Sequence, residues 1–252
     1  MDKLCPRAVI FDLGSTLIEY EAIPWSEMNL YCSASARSFL YKKGYQVPDE
    51  QEFHQAYEAV KDSYRDKAAE TLVEWTVMQA ARELLARWKI EVDDDLMNRF
   101  FDAYYEPLGR RIYVYDDVLE TLEWVKQNSR VIGLVSNTVF PERAHRKELK
   151  RFGIEHYLDF AVFSSTFGLR KPHPDIFYKA ANLAGVAPSE CVFVGDRYLE
   201  DVQGPDGIGM PAVLKLLERR EYPQDMPETI RKITTLSELS EHLDFDNRTG
   251  KP

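Results

Sequence analysis

Five short apolar runs punctuate the chain: AVIF at 8–11, VIGLV at 131–135, FAVF at 160–163, CVFVG at 191–195 and PAVLK at 211–215. They lack the polar alternation of a half-exposed strand, which predicts strands covered on both faces, as in a parallel sheet. Helical patterns lie before and among the last four. DDVLETLEWVKQN opens on Asp116 or Asp117 as N-cap, and PDIFYKAANLAG opens on Pro174 and stops at Gly185. Alternating strands and helices of this kind predict an α/β fold, a doubly wound parallel sheet.

The interval between the first and second runs breaks that rhythm. Residues 19 to 111 contain no convincing strand and four helical stretches, near 24–43, 49–69, 74–88 and 93–106. A crossover between parallel strands needs one helix. The segment is therefore predicted to be a separate helical domain (19–111) inserted into an α/β core (1–18 and 112–252). Its aromatics Trp25, Tyr31, Phe39, Tyr57, Trp75, Trp88, Phe100, Phe101 and Tyr104 fall at helical spacing and are expected to form the interior of that insertion. The C-terminal stretch DFDNRTGKP is expected to fray.

Composition narrows the classes of partner. A net charge of −10 over 252 residues argues against nucleic acid or an anionic membrane surface, while leaving room for a small anion at a local cationic site. Cys5, Cys32 and Cys191 form no C-x-x-C pair, so reduced thiols in a cytoplasmic protein are expected. No stretch has the length and apolarity of a signal peptide or a membrane span.

Ligands of parallel α/β sheets bind at the carboxyl ends of the strands, so the residues that follow each run are the candidates. After the first come Asp12, Gly14, Ser15 and Thr16; after the second, Ser136 and Asn137; after the third, a loop leading to Lys171; after the fourth, Asp196 and then Asp201. Clustered carboxylates repel one another unless a cation joins them, and oxygen-rich acidic sites suit Mg²⁺. A carboxylate can also attack phosphorus. Magnesium and Lys171 would neutralise the phosphoryl oxygens while Ser136 and nearby backbone N–H groups hold them, which makes phosphoryl transfer to an aspartate the coherent reaction class.

The segments FDLGSTL, VSNT, RKPHPDIF and VGDRYLED, in that order, resemble the four motifs of the haloacid dehalogenase-like (HAD) hydrolases. The helical insertion after the first motif resembles the cap of that superfamily. The resemblance implies that Asp12 is the nucleophile and that Ser136, with Asn137 beside it, binds the transferring phosphoryl group. It implies that Lys171 steadies both, that Asp12, Asp196 and the Gly14 carbonyl ligate Mg²⁺, and that Asp201 holds the metal's waters. A small phosphorylated substrate is the implied partner. His173, between two prolines, is expected to be structural, and Arg110 and Arg111 are expected to form a solvated hinge.

The family's phosphatases carry Asp-x-Asp in the first motif, where the second acid protonates the leaving oxygen. Here Gly14 replaces it. General acid help is worth roughly 10²–10⁴-fold, so its loss should fall on poor leaving groups. A Mg²⁺-dependent phosphatase favouring good leaving groups is the expected function. The alternatives are a 2-haloacid dehalogenase or phosphonatase, and an inactive scaffold that binds a phosphorylated ligand or a protein partner.

Overall fold

The computed structural model describes residues 2–129 and 131–245; of the stretch expected to fray, residues 246–252 lie outside the described residues. In chain order the elements are β1 (Ala8–Phe11), β2 (Ile18–Glu19), α1 (Trp25–Lys42), α2 (Glu50–Thr71), α3 (Val77–Arg87), α4 (Asp94–Gly109), β3 (Tyr113–Val114), α5 (Val118–Asn128) and β4 (Val131–Ser136). There follow α6 (Glu142–Arg151), β5 (Phe160–Phe163), α7 (Ser164–Phe167), α8 (Pro174–Ala184), β6 (Cys191–Gly195), a π-helical turn (Tyr198–Gln203), α9 (Gly204–Asp206), β7 (Ala212–Lys215), β8 (Arg231–Ile233) and α10 (Leu239–His242).

Six strands form one parallel sheet in the order β5-β4-β1-β6-β7-β8. The chain winds from β1 outward through β4 to β5, then returns to the other side of β1 at β6. Side chains alternate across the sheet. Ala8 and Ile10 pack on one face against Ile176, Phe177 and Ala180 of α8. Val9 and Phe11 point to the other face, whose apolar cluster continues into the helices of residues 25–109. Burial on both faces accounts for the unbroken apolar runs.

Three features differ from the sequence expectation. Asp117 stands at the N-cap of α5, but its carboxylate makes no cap bond and accepts instead from the Leu236 and Ser237 N–H groups at 2.6 and 3.2 Å. The heavily charged helix α6 escapes an apolar-periodicity reading because few of its residues are buried, Ala144, His145, Glu148 and Leu149. Strand β8, Arg-Lys-Ile, sits at the sheet edge and buries only Ile233.

The chain enters and leaves the helical insertion side by side, since β2 pairs antiparallel with β3. A second attachment comes from the segment between α2 and α3. There the Glu74 N–H donates to the Gly168 carbonyl (2.9 Å), the Arg170 N–H to the Leu72 carbonyl (3.0 Å), and the Val77 N–H to the Val139 carbonyl (2.9 Å). The Glu74 carboxylate is buried on the core, accepting from Ser164 Oγ at 2.6 Å and facing Arg170 Nη1 at 3.4 Å. Burial pushes the Glu74 carboxyl upward, with Arg170 and the Ser164 hydroxyl opposing it.

Glu74→Ala should destabilise the protein by about 1–3 kcal/mol, because Ser164 Oγ and the Arg170 guanidinium lose a partner in a largely dry seam. Chemical denaturation reads this directly; an unchanged midpoint would show that the seam is held by backbone bonds alone.

Candidate active site

Ser136, Asp12 and Asp196 stand at the carboxyl ends of the neighbouring strands β4, β1 and β6 respectively, where the winding direction reverses. Crevices form at such switch points. The Asp12 N–H donates to the Val194 carbonyl at 2.8 Å, so the last ladder bond of β1 fixes the position of Asp12. Lys171 arrives from the loop before α8, buried to 2% exposure. Its Nζ lies 2.7 Å from Asp12 Oδ1 and 2.6 Å from Asp201 Oδ1.

Asn137 determines where that lysine stands. Its side-chain oxygen accepts from the Lys171 N–H at 2.7 Å and its Nδ2 donates to the Lys171 carbonyl at 2.8 Å. The amide expected to face a phosphate is engaged with the backbone of Lys171, two bonds that a phosphate contact would have to share. Ser136 is buried beside it and lines the cavity above Asp12.

Asp201 is fully buried. Its second oxygen accepts from the backbone N–H of Asp196 (3.1 Å) and of Arg197 (2.9 Å). The π-helical turn that begins at Tyr198 folds this carboxylate back over β6. Only a glycine permits the approach: a Cβ on Gly195 would stand 2.4 Å from Asp201 Cγ. With both oxygens engaged, Asp201 supports the cluster instead of presenting a free ligand atom.

One oxygen of each of Asp12, Asp196 and Asp201 falls within a 4.8 Å group. Asp196 Oδ2 is buried without a hydrogen-bond partner; Arg220 Nη2 lies 2.8 Å away at an angle that makes no hydrogen bond. A buried carboxylate oxygen that makes no hydrogen bond, beside a second carboxylate, is a donor set that fits a hard divalent cation. The electrostatics agree. Burial raises the Asp12 carboxyl, Lys171 opposes and Asp201 adds to it. Asp196 is pushed up to about 7, first by burial and then by Asp12 and Asp201, with Arg220 opposing. Burial pulls Lys171 down, but the two carboxylates outweigh it and hold its ammonium above the usual lysine value.

The first-motif loop holds a surprise. Gly14 does not adopt a left-handed conformation; that falls on the next residue, Ser15, at φ +61°. A left-handed serine costs of order 1–3 kcal/mol unless neighbours impose it. Here Lys215 Nζ donates to the Ser15 and Thr16 carbonyls at 3.3 and 2.9 Å, and Arg219 Nη2 to Ser15 Oγ at 3.1 Å. Gly14 itself has room: a Cβ there would meet Tyr20 Cδ2 at an ordinary 3.6 Å. The Tyr20 hydroxyl is tied to buried Glu148, which also accepts from Tyr105 and pairs with His145 at 2.9 Å. A tyrosine ring thus borders the place where the missing acid would project.

Several of these residues lie outside the sequence candidates. Lys215 ends an apolar run and follows the same carboxyl-end rule as Asp12. Arg197 adjoins Asp196 and pairs with Glu21 at 3.0 Å. Arg220 and Tyr20 carry no spacing signal. His173 is structural, as expected: its Nδ1 accepts from the Asp175 N–H at the start of α8. Arg110 pairs with Glu106 and Arg111 donates to the Pro107 carbonyl, both away from the cavity. The aromatic expectation holds for Tyr57, Trp75, Phe100, Phe101 and Tyr104, of which Trp75 and Tyr104 also line the cavity; Phe39 and Trp88 pack against that core, and Trp25 and Tyr31 are exposed.

Residues 6–209 match the haloacid dehalogenase-like hydrolase family. The chain belongs to that family. It is 33% identical over 143 residues to the glyceraldehyde 3-phosphate phosphatase of Methanopyrus kandleri, covering 57% of this chain and 59% of that protein. It is 27% identical over 157 residues to the phosphoglycolate phosphatase of Escherichia coli K12, covering 59% and 61%. The chain thus spans about six-tenths of the length of these relatives. The 2-haloacid dehalogenase of Pseudomonas syringae shares the fold, with a TM-score of 0.68 at 22% identity over 94% of this chain and 97% of that one. No helix among the described residues is long and apolar enough to cross a membrane.

The raised Asp196 carboxyl has a consequence for stability. Between the unfolded value of 3.8 and about 7 the folded protein binds a proton that the unfolded chain does not. This contribution is therefore greatest at low pH and is lost as pH rises through about 7. The metal-free protein should melt at progressively lower temperature as pH is raised from about 5.5 to 8, and Asp196→Asn should flatten the trend. A wild-type melting temperature that rises over this range would contradict the assignment. Lys171→Met, by contrast, strands Asp12 and Asp201 and should cost about 3–5 kcal/mol at neutral pH.

Proposed function

We propose that the protein is a Mg²⁺-dependent phosphatase of a small phosphorylated metabolite, acting through an aspartyl-phosphate on Asp12. The observation that carries this reading is the buried Asp12 carboxylate, gripped by Lys171 and clustered with Asp196, whose Oδ2 makes no hydrogen bond. The names of the Methanopyrus and Escherichia relatives support the same reaction class. The unpaired cysteines fit a cytoplasmic setting.

In this reading Asp12, Asp196 and the Gly14 carbonyl hold the metal, which supplies charge neutralisation at the phosphoryl oxygens when bound. Asp12 attacks phosphorus with the oxygen that Lys171 does not hold, and the ester P–O bond breaks. The Lys171 ammonium, anchored by Asp201, balances the negative charge that gathers on the transferring group. The Ser136 hydroxyl donates to a phosphoryl oxygen, and Asn137 serves by fixing Lys171. Water then attacks phosphorus, releasing phosphate and restoring Asp12. Residues 19–111 act as a cap that shields these steps from bulk water.

With glycine at position 14 the leaving oxygen departs without a carboxylic acid beside it. Rates should depend steeply on leaving-group acidity, with acyl and aryl phosphates fast and simple alkyl phosphates slow. Because Gly14 has ordinary backbone angles and room for a Cβ, Gly14→Asp should fold and speed poor leaving groups by roughly 10²-fold or more, changing good ones little. Phosphate esters of graded leaving-group pKa, run on both proteins, decide the point; parallel slopes would remove the acid's absence as the limiting factor.

Asp12→Asn should abolish turnover of an aryl phosphate while leaving the fold intact, and a chelator should silence the wild type. Halide release from a 2-haloacid in the presence of chelator would instead favour dehalogenase chemistry.

A further inference from the structure

The cavity above Asp12 has a volume of about 800 Å³ and extends to the helical insertion, where α1, α2 and α4 contribute Asn29, Glu58, Lys61 and Tyr104 and the α2–α3 segment contributes Trp75. Sites of that size enclose ligands well beyond a two-carbon phosphate ester. Two buried polar side chains distinguish this far wall. Trp75 is buried to 5% exposure and lines the cavity, yet its indole N–H has no hydrogen-bond partner among the described residues. Lys61 is buried to 1% in the middle of α2, an expensive place for an ammonium unless it is paired.

Lys61 is fully paired. Its Nζ contacts Glu58, donates to Asn29 Oδ1 at 3.3 Å and to the Tyr104 hydroxyl at 3.1 Å, and lies 4.9 Å from the centre of the Tyr57 ring. The remaining cations on this wall are also neutralised: Arg65 by Glu58 and Asp62, Arg170 by Glu74. Three carboxylates thus face three cations, and none of the three cations is left for a second anionic group. What the wall does offer is an unpartnered N–H from Trp75 and aromatic surface from Trp25 and Tyr104. A hydroxyl group can accept from that N–H without bringing a charge. A carboxylate could accept as well, but it would bring a charge for which this wall has no uncommitted cation.

We propose that the wall formed by Trp75, Glu58, Lys61 and Tyr104 is a subsite for the uncharged, hydroxyl-bearing end of the substrate, of pentose or hexose size, and that it selects against phosphate esters ending in a carboxylate. This rests on phosphoryl transfer at Asp12. Trp75 supplies the directional contact. The Lys61–Glu58 pair sets the polarity of the wall and holds the Tyr104 and Asn29 side chains in place.

The test separates binding from chemistry, so that Gly14 does not confound it. Acetyl phosphate, a small substrate with a good leaving group, reports turnover with Mg²⁺, and other phosphate esters are scored by their Ki against it. Ribose 5-phosphate should inhibit about tenfold or more tightly than phosphoglycolate. Trp75→Phe keeps the ring and deletes the N–H; it should raise the Ki of ribose 5-phosphate about three- to tenfold and move that of phosphoglycolate by less than about twofold. Phosphoglycolate binding as tightly as the sugar phosphate would overturn the subsite, as would a Trp75→Phe that weakens both inhibitors alike or neither. Failure of the wild type to hydrolyse acetyl phosphate would instead overturn the reading of Asp12, and the subsite with it.

Discussion

A single ammonium group organises the carboxyl end of the sheet. Lys171 Nζ bridges Asp12 and Asp201 at hydrogen-bond distance, and all three side chains are buried. Removing the lysine would leave two buried carboxylates beside a third, Asp196, with only arginine contacts to offset them. That constraint explains why the neighbouring residues spend their hydrogen bonds on the lysine or its partners. Asn137 clamps its backbone, the Asp196 and Arg197 N–H groups hold Asp201 in reach, and Gly195 leaves the space for Asp201 to come close. Lys171 and Arg220 together offset only two of the three clustered carboxylates, and a divalent cation would relieve the remaining negative charge.

The same loop ties the site to the helical insertion. Arg170, adjacent to Lys171, bonds through its N–H to Leu72 and faces Glu74 with its side chain; Ser164 links Glu74 to the Thr138 N–H, two residues beyond Ser136. The α2–α3 segment is therefore hydrogen-bonded, directly or through Ser164, to both loops that would hold a phosphate. The segment also carries Trp75, so the residue assigned to substrate recognition and the residue that docks the insertion are neighbours in sequence. Recognition at the far wall and alignment of Lys171 share one short stretch of chain.

How much of this is legible in the sequence follows from how local each constraint is. Strands buried on both faces write themselves as apolar runs, and the rule that ligands sit after such strands leads to Asp12, Ser136 and Asp196 without further information. Asp201 and Lys171 emerge from spacing within motifs. The rule applied to the last run would also have reached Lys215, which braces the left-handed Ser15. Other features depend on contacts between distant segments. Tyr20 borders the space beside Gly14 because Glu148, on a helix of mostly charged residues, anchors its hydroxyl. Arg220 reaches Asp196 from a loop with no periodic signal. Trp75 has the composition of a core residue and the exposure of one; only its unpartnered N–H distinguishes it, and that is a property of coordinates.

The central claim is that Asp12, aligned by Lys171, accepts a phosphoryl group. Its most direct test is mass spectrometry of protein acid-quenched during turnover of acetyl phosphate with Mg²⁺. A single added phosphoryl group is expected on the peptide that carries Asp12, lost in Asp12→Asn and diminished in Lys171→Met. Continued turnover with an unmodified Asp12 peptide at every quench time, or phosphorylation that persists in Asp12→Asn, would contradict it.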